Sequence, residues 1–272
     1  MKTRTVTETI PRTEGSDTRI LTWNILSEEL SPGLPEIEGR IDGICDYILK
    51  NAPDAAGIQE ISESAYGMLA ERIGDDYEFV NPTTQAGLYS FTGVAYNKKK
   101  YRLVGSEIEN YENGNPRIRL MNIIRLEEIN GDGAFILLST HWDKTAAKRT
   151  PHGKRMAEKV NELEAAYGVP VICVGDFNAR ESTEAYMTFM QGCTHKDAKW
   201  SCPNPVNLCY TGHDVGSYNL HWEGEESIDH ITVSQGVEVL HYENVMNDEV
   251  VGLSDHFPVY TDLLLRSVTV EK

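Results

Sequence analysis

The stretch Val171-Ile172-Cys173-Val174-Gly175-Asp176-Phe177-Asn178-Ala179 constrains this chain most strongly. Its first half is an apolar, β-branched run, which predicts a strand buried on both faces and so a sheet with packing above and below it. Its second half is a glycine, an acid and, two residues later, an amide. Strand side chains repeat every second position, so Asp176 and Asn178 are expected to leave the strand end on the same side. An oxygen pair at the mouth of a sheet suits a hard divalent cation or an activated water. An Asx turn closing a strand uses the same residues, and the motif alone does not choose between the two.

The rest of the chain sets bounds on the answer. Its 272 residues, 40% of them hydrophobic, suffice for a large core. No repeat, low-complexity tract or long linker divides it, so the reading is one domain over residues 19–272 behind a polar leader, 1–18. A formal net charge of -17, from 25 basic and 42 acidic residues, opposes general nucleic-acid binding. A phosphate substrate stays compatible with that charge, because a bound cation reverses the field inside a pocket.

Five cysteines without CxxC spacing do not form a disulfide framework. Cys193, His195, Cys202 and Cys209 fall in one segment, but zinc sites show tighter pairing, and free thiols in a loop are the favoured reading. No apolar run approaches the roughly 18–20 residues that span a membrane, and the first 18 residues lack a signal-peptide core. The expectation is a cytoplasmic chain with no membrane partner, although a secreted chain trimmed of its signal would read the same way.

In order, Arg19–Leu26 reads as a strand carrying Asn24 near its end. Ile37, Ile41, Ile44, Ile48 and Leu49 recur at helical spacing and predict a core-facing helix. Residues 54–60 form a short strand ending in Gln59 and Glu60. A carboxylate there is costly unless paired or bound to metal, or else it opens the following helix at residues 62–73. Gly93–Asn97 is a strand, and Lys98-Lys99-Lys100 turns it back as a solvated hairpin. Residues 117–126 alternate like a half-buried strand, with Arg117 or Arg119 facing either solvent or a substrate anion.

Residues 134–143 are a second apolar strand, with His141 and Asp143 expected on one face. Lys148–Tyr167 reads as a helix, basic in its first half, and Ser182–Gln191 as a short one. Residues 192–224 lack a period and read as a long loop offering Trp200, Tyr210, Tyr218 and Trp222 for stacking on a substrate or on the body. Asp229 and His230 open a strand, residues 236–245 form another, and Asp255-His256 lie in a tight turn before Pro258 and a final strand through Leu265.

Six separated pieces then share an order: Trp23-Asn24, Gln59-Glu60, Thr140-His141, Gly175-Asp176-Phe177-Asn178, Asp229-His230 and Ser254-Asp255-His256. On these pieces the chain resembles the endonuclease/exonuclease/phosphatase (DNase I-like) superfamily from about residue 19 to 265. The resemblance implies an α/β fold, a four-layer α/β sandwich in which two packed mixed β-sheets are flanked by helices. It implies hydrolysis of a phosphate ester, diester or monoester, with Mg2+ or Mn2+ as cofactor. Position by position, it implies that Glu60 is the principal metal carboxylate, with Asn24 and Asp255 close to the ion. It makes Asp176 the residue that orients or deprotonates water, and Asn178 the amide that contacts phosphate and helps bind metal. His256 is the imidazole beside the scissile phosphate, Asp229 the carboxylate that holds its ring, and His141 a stabiliser of charge on phosphorus.

Trp142 departs from the resemblance, standing where many relatives have an aliphatic residue, and Asp143 adds a further acid. The basic surface of DNA-repair members and the apolar hairpin of lipid-cleaving members are not evident. The expected substrate is a small or exposed phosphate ester. The alternatives are a nuclease or deadenylase acting on single-stranded RNA, suggested by the Trp-Asn-Ile-Leu-Ser opening and the aromatic loop, and a catalytically silent binding module.

Overall fold

A computed structural model describes residues 10–26, 36–80, 91–111 and 119–265. The apolar runs form strands and the 3.6-periodic segments form helices, in two six-stranded sheets with helices outside them. The first sheet holds β1 (Thr18–Asn24), β2 (Ala55–Ile61), β3 (Tyr77–Val80), β4 (Phe91–Asn97), β11 (Glu238–Asn244) and β12 (Val259–Leu264), in the order β11-β12-β1-β2-β4-β3. The second holds β5 (Tyr101–Asn110), β6 (Leu120–Glu128), β7 (Ala134–His141), β8 (Val171–Asp176), β9 (His195–Asp197) and β10 (Asp229–Ser234), in the order β5-β6-β7-β8-β10-β9.

Helices α1 (Ile37–Asn51) and α2 (Glu63–Ile73) cover the outer face of the first sheet through Ile41, Ile44, Ile48, Leu69 and Ile73. Helices α3 (Ala146–Tyr167) and α4 (Glu184–Gly192) cover the second through Met156, Val160, Leu163 and Phe189. Between the sheets, Ile20, Val94, Ile124, Leu137, Ile172, Val174 and Ile231 form the central core. Burying one such side chain is worth roughly 1.5–3 kcal/mol, so the sandwich rests mainly on these three apolar layers. This is the four-layer arrangement of two mixed sheets that the resemblance implies.

The connectivity places the site. β1 and β2 pair in parallel, as do β7 and β8, and each pair lies at the middle of its sheet. Their C-terminal ends therefore open on one edge, where Asn24 lies across from Gln59 and His141 from Asp176. β10 runs antiparallel to β8 in a register that sets Asp229 opposite Asp176. β12 runs antiparallel to β1, so the residues just before it, Asp255 and His256, reach the same edge. Gly175 sits at φ +150, and a Cβ there would lie 2.0 Å from the Thr140 carbonyl oxygen. Only glycine lets β8 approach β7 this closely at the site.

Several details differ from the sequence reading. β3 was not anticipated, because its four residues carry little periodic signal. Residues 192–224 are not wholly a loop: they contain β9 and the short helix α5 (Ala198–Ser201), whose first turn Asp197 caps through Lys199 N and Trp200 N. Residues 10–17 are fastened to the body, with Arg12 bonded to Asp54 at 2.5 Å and the Ile10 amide to the Lys50 carbonyl. All five cysteines are free, and Cys193, His195, Cys202 and Cys209 do not assemble a metal cluster among the described residues. No described helix is long and apolar enough to cross a membrane.

Candidate active site

Asp176, the last residue of β8, is buried at the centre of the open edge. Its Oδ2 lies 3.2 Å from His141 Nε2, 3.9 Å from His256 Nε2 and 3.2 Å from Asn24 Nδ2, so side chains from three other strand ends converge on one oxygen. Its Oδ1 accepts the amide of Asn178 at 2.7 Å. The Asx turn and the site are thus one structure: one carboxylate oxygen closes the turn and the other faces the cleft. Strand alternation does not continue to Asn178, as expected from the sequence, because β8 stops at Asp176 and Asn178 adopts φ +48. Asn178 Nδ2 donates to the Trp142 carbonyl at 2.9 Å, and Arg149 of α3 donates to the Asn178 carbonyl.

On the first sheet, Asn24 Nδ2 also donates to Glu60 Oε1 at 3.3 Å, while Asn24 Oδ1 accepts the Leu26 amide. Glu60 occupies the bulge between Gln59 and Ile61 and has φ +54. A bulge re-aims a side chain that regular alternation would send elsewhere. Glu60 therefore belongs to the strand end and does not open α2, whose N-cap is Ser62, accepting the Ala65 amide. Glu60, Asn178 and Leu26 (φ +57) are three non-glycine residues held left-handed around one site, a conformation that must be held by its surroundings.

The third contribution is an ordered pair. His256 Nδ1 meets Asp229 Oδ2 at 2.7 Å, as the resemblance implies. Thr211 Oγ1 donates to the same carboxylate at 2.5 Å, and Ser227 Oγ donates to Thr211 at 3.2 Å. Burial alone would lower the His256 pKa, but Asp229, then Asp176 and Asp255, raise it to about 10. Asp176 moves the other way. Burial opposes its ionisation, yet His141, His256 and the Asn178 amide hold it well below the usual carboxylate range. Asp229 is raised by burial and by Asp176 despite its imidazole partner.

Asp176, Asp229 and His256 bring ligand atoms within 4.8 Å of one another and could hold a metal ion. Asp255 adds a buried Oδ1 that makes no hydrogen bond, and Asp229 Oδ1 is buried in the same state. Buried carboxylate oxygens without a hydrogen bond are hard donors, suited to a hard cation.

Other sequence candidates fall outside this group. Asp143 does not share the cleft with His141, because β7 ends at His141. Asp143 instead accepts the Thr145 amide at 2.7 Å and lies 3.8 Å from Lys148, holding the start of α3. Arg117 lies outside the described residues, whereas Arg119 is near enough to Asp143 to help lower its pKa. Lys99 and Lys100 of the lysine turn pair with Asp76 and Asp54. Trp222 lies under the Arg180 guanidinium at 3.6 Å, Tyr218 bonds to Asp248, and Trp200 stays half exposed. Thr211 was not foreseen. It stands 18 positions before Asp229 in an aperiodic segment, and nothing in its surroundings signals the bond.

A second buried cluster lies behind the first. Glu181, Asp197 and His230 also bring ligand atoms within 4.8 Å. Here Lys199 Nζ sits 2.6 Å from Glu181 Oε1 and also donates to the Glu225 carbonyl, while Tyr186 donates to Asp197. His230 bonds through Nε2 to the Ala179 carbonyl at 2.8 Å. Asp229 and His230 are neighbours on β10 and so point to opposite faces, one into each cluster.

The sequence model of the Endonuclease/Exonuclease/phosphatase family matches residues 21–256, and the chain belongs to that family. Among characterised proteins the chain is similar to human tyrosyl-DNA phosphodiesterase 2, at 27% identity over 171 residues, covering 61% of this chain and 43% of that protein. The chain spans less than half the length of the curated relatives it matches. In fold it is similar to an endonuclease/exonuclease/phosphatase from Bacteroides vulgatus, with TM-score 0.80, 23% identity and coverage of 91% of this chain and 98% of that one. A mannosyl-6-phosphatase from Bacteroides thetaiotaomicron VPI-5482 shares the fold with TM-score 0.78 and 20% identity, covering 91% of this chain and 100% of that one.

Proposed function

We propose that this chain hydrolyses a small or exposed phosphate ester with Mg2+ or Mn2+ as cofactor. One observation carries the reading: a buried carboxylate, Asp176, faces two histidines and an asparagine from three other strand ends, with Asp229 holding one of those imidazoles. Glu60 and Asp255, bordered by Asp176 and Asn178, are the residues we assign to the cation; Asn24, expected from the sequence to lie close to the ion, turns its Nδ2 to Glu60 and Asp176 and positions them instead. Once bound, such an ion neutralises phosphate oxygens and lowers the barrier to attack.

The protein's own groups supply the remainder. Asp176 accepts a hydrogen bond from water, orients it toward phosphorus and takes its proton as the P–O bond forms. His256, held by Asp229, donates to a phosphoryl oxygen, and His141 stabilises the same developing charge from the opposite strand end. Asn178 has one N–H on Trp142 and directs its other polar valences to the phosphate. The bond from phosphorus to the ester oxygen breaks as the new P–O bond forms, and the departing oxygen takes a proton from solvent to leave as the alcohol.

The relatives' names, a phosphodiesterase and a phosphatase, bracket the two ester classes. The net charge of -17 favours a substrate with few phosphates over a long polyanion. A nuclease acting on single-stranded RNA is the second reading, favoured by the exposed Tyr218 and Trp222 in the segment that also carries Thr211.

The test is hydrolysis of an aryl phosphodiester, the matching monoester and a short single-stranded RNA. Each is run with Mg2+, Mn2+ or chelator, for wild type and Asp176→Asn. Metal-dependent turnover that collapses in the variant supports the reading, and the preferred ester names the class. No turnover together with no divalent-ion binding would leave the binding-module alternative standing.

A further inference from the structure

We infer that Arg40, on α1 and outside the cleft, is a positioning residue that fixes the two loops carrying Asn24 and Asp255-His256 relative to each other. Its side chain is 2% exposed. Nη1 donates to the carbonyls of Ile25 and Leu253, and Nη2 to that of Leu26, each at 2.6 Å. Two of those carbonyls directly follow Asn24, and the third directly precedes Ser254-Asp255-His256. The guanidinium therefore joins chain segments more than 200 residues apart in sequence.

Each contact leads to a side chain in the cleft. Leu26 is left-handed at φ +57, and while Arg40 holds its carbonyl, its amide holds Asn24 Oδ1. That bond fixes the amide plane of Asn24, whose Nδ2 faces Glu60 and Asp176. On the other loop, Ser254 Oγ donates to the Asn24 carbonyl at 2.6 Å and accepts the His256 amide at 3.2 Å. Trp23 Nε1 closes the same junction on the His256 carbonyl at 2.8 Å. α1 also seats the second loop through packing, because a Cβ on Gly43 would lie 2.8 Å from the Leu253 side chain. A rigid planar fork can address carbonyls on two loops at once. A lysine ammonium, which presents its donors from one point, cannot reproduce that geometry.

The inference rests on the phosphoesterase reading, so the experiment includes a readout that does not need turnover. Arg40→Ala and Arg40→Lys are compared with wild type for kcat, KM, thermal midpoint and the midpoint of the thermal shift produced by Mg2+ or Mn2+ alone. For Arg40→Ala, kcat is expected to fall about 10²-fold, as misplacement of roughly an ångström does, with KM changed less than about threefold. The divalent-ion midpoint rises about tenfold, and millimolar guanidinium, but not sodium at equal ionic strength, restores part of both. Arg40→Lys recovers thermal stability without recovering kcat.

A folded variant with wild-type kcat and ion midpoint overturns the inference. So does a loss of stability alone, or a loss of kcat that Lys restores fully. If Arg40→Ala does not fold, Arg40→Lys decides by the same readouts. If wild type turns over no ester, the proposed function fails while the ion midpoint and its guanidinium rescue still judge Arg40.

Discussion

Two buried clusters of acids and histidine lie on opposite faces of β10, and chemically they begin alike. Asp176, Asp229 and His256 form one, and Glu181, Asp197 and His230 form the other. The second is closed by its own chain: Lys199, 1% exposed, places an ammonium on Glu181, and Tyr186 and the Ala179 carbonyl fill the remaining valences. The first is left open. Its Asp229 Oδ1, and Oδ1 of Asp255 next to His256 in the chain, are buried without a hydrogen bond, and no lysine is bonded into it among the described residues. A titratable triad by itself thus says little. What distinguishes a site from a strut is whether the fold satisfies every carboxylate oxygen or leaves some for a ligand.

The contrast breaks most visibly in rate. Asp176→Asn is expected to lower kcat about 10²- to 10⁴-fold, and its urea midpoint also falls, because His141 and His256 lose the carboxylate that their charge stabilises. A variant with wild-type turnover would remove Asp176 from the chemistry. Lys199→Met should spare the rate. Uncovering a buried carboxylate costs about 3–5 kcal/mol of stability, read from urea unfolding, while turnover per folded molecule stays near wild type. Stability within about 1 kcal/mol of wild type would show that this cluster is not closed by the lysine.

Divalent ions sharpen the comparison further. Mg2+ or Mn2+ at 100 times its dissociation constant should stabilise the fold by about 2.7 kcal/mol. Glu60→Gln with Asp255→Asn should abolish that increment, and Glu181→Gln should keep it. The opposite pattern would move the ion to the second cluster.

The smallest effect is a pH dependence. Burial would lower the His230 pKa, but Asp197 and Glu181, with the Ala179 carbonyl, raise it above its ordinary 6.5. A raised folded-state pKa adds stability that is complete below the unfolded value and is lost as pH rises through the folded one. The stability gap between wild type and His230→Gln should therefore shrink as pH rises above the ordinary 6.5 in urea titrations. A gap that is flat with pH would mean that His230 stays neutral.

Much of this was legible in the chain. The apolar runs before Asn24, Glu60, His141 and Asp176 mark strands, and a polar residue ending each run marks an edge where polar groups gather. Asp143 misled because alternation was carried past the last residue of β7, and Asn178 because the left-handed turn begins where β8 stops. Thr211, Lys199 and Arg40 were invisible for a different reason. Their partners lie 18, 18 and 213 positions away, and their residue types are ordinary for loop and helix surfaces.

By itself, the sequence determined the layers and the identities of the groups at the site. Apolar periodicity is a local property, and each motif residue stands next to the strand that delivers it. The tertiary structure alone decided which of two similar triads stays open, that a bulge turns Glu60 into the cleft, and that a helix arginine joins two distant loops. Counter-charge, register and carbonyl partners come from segments far apart in the chain, so they exist only once the sheets have packed.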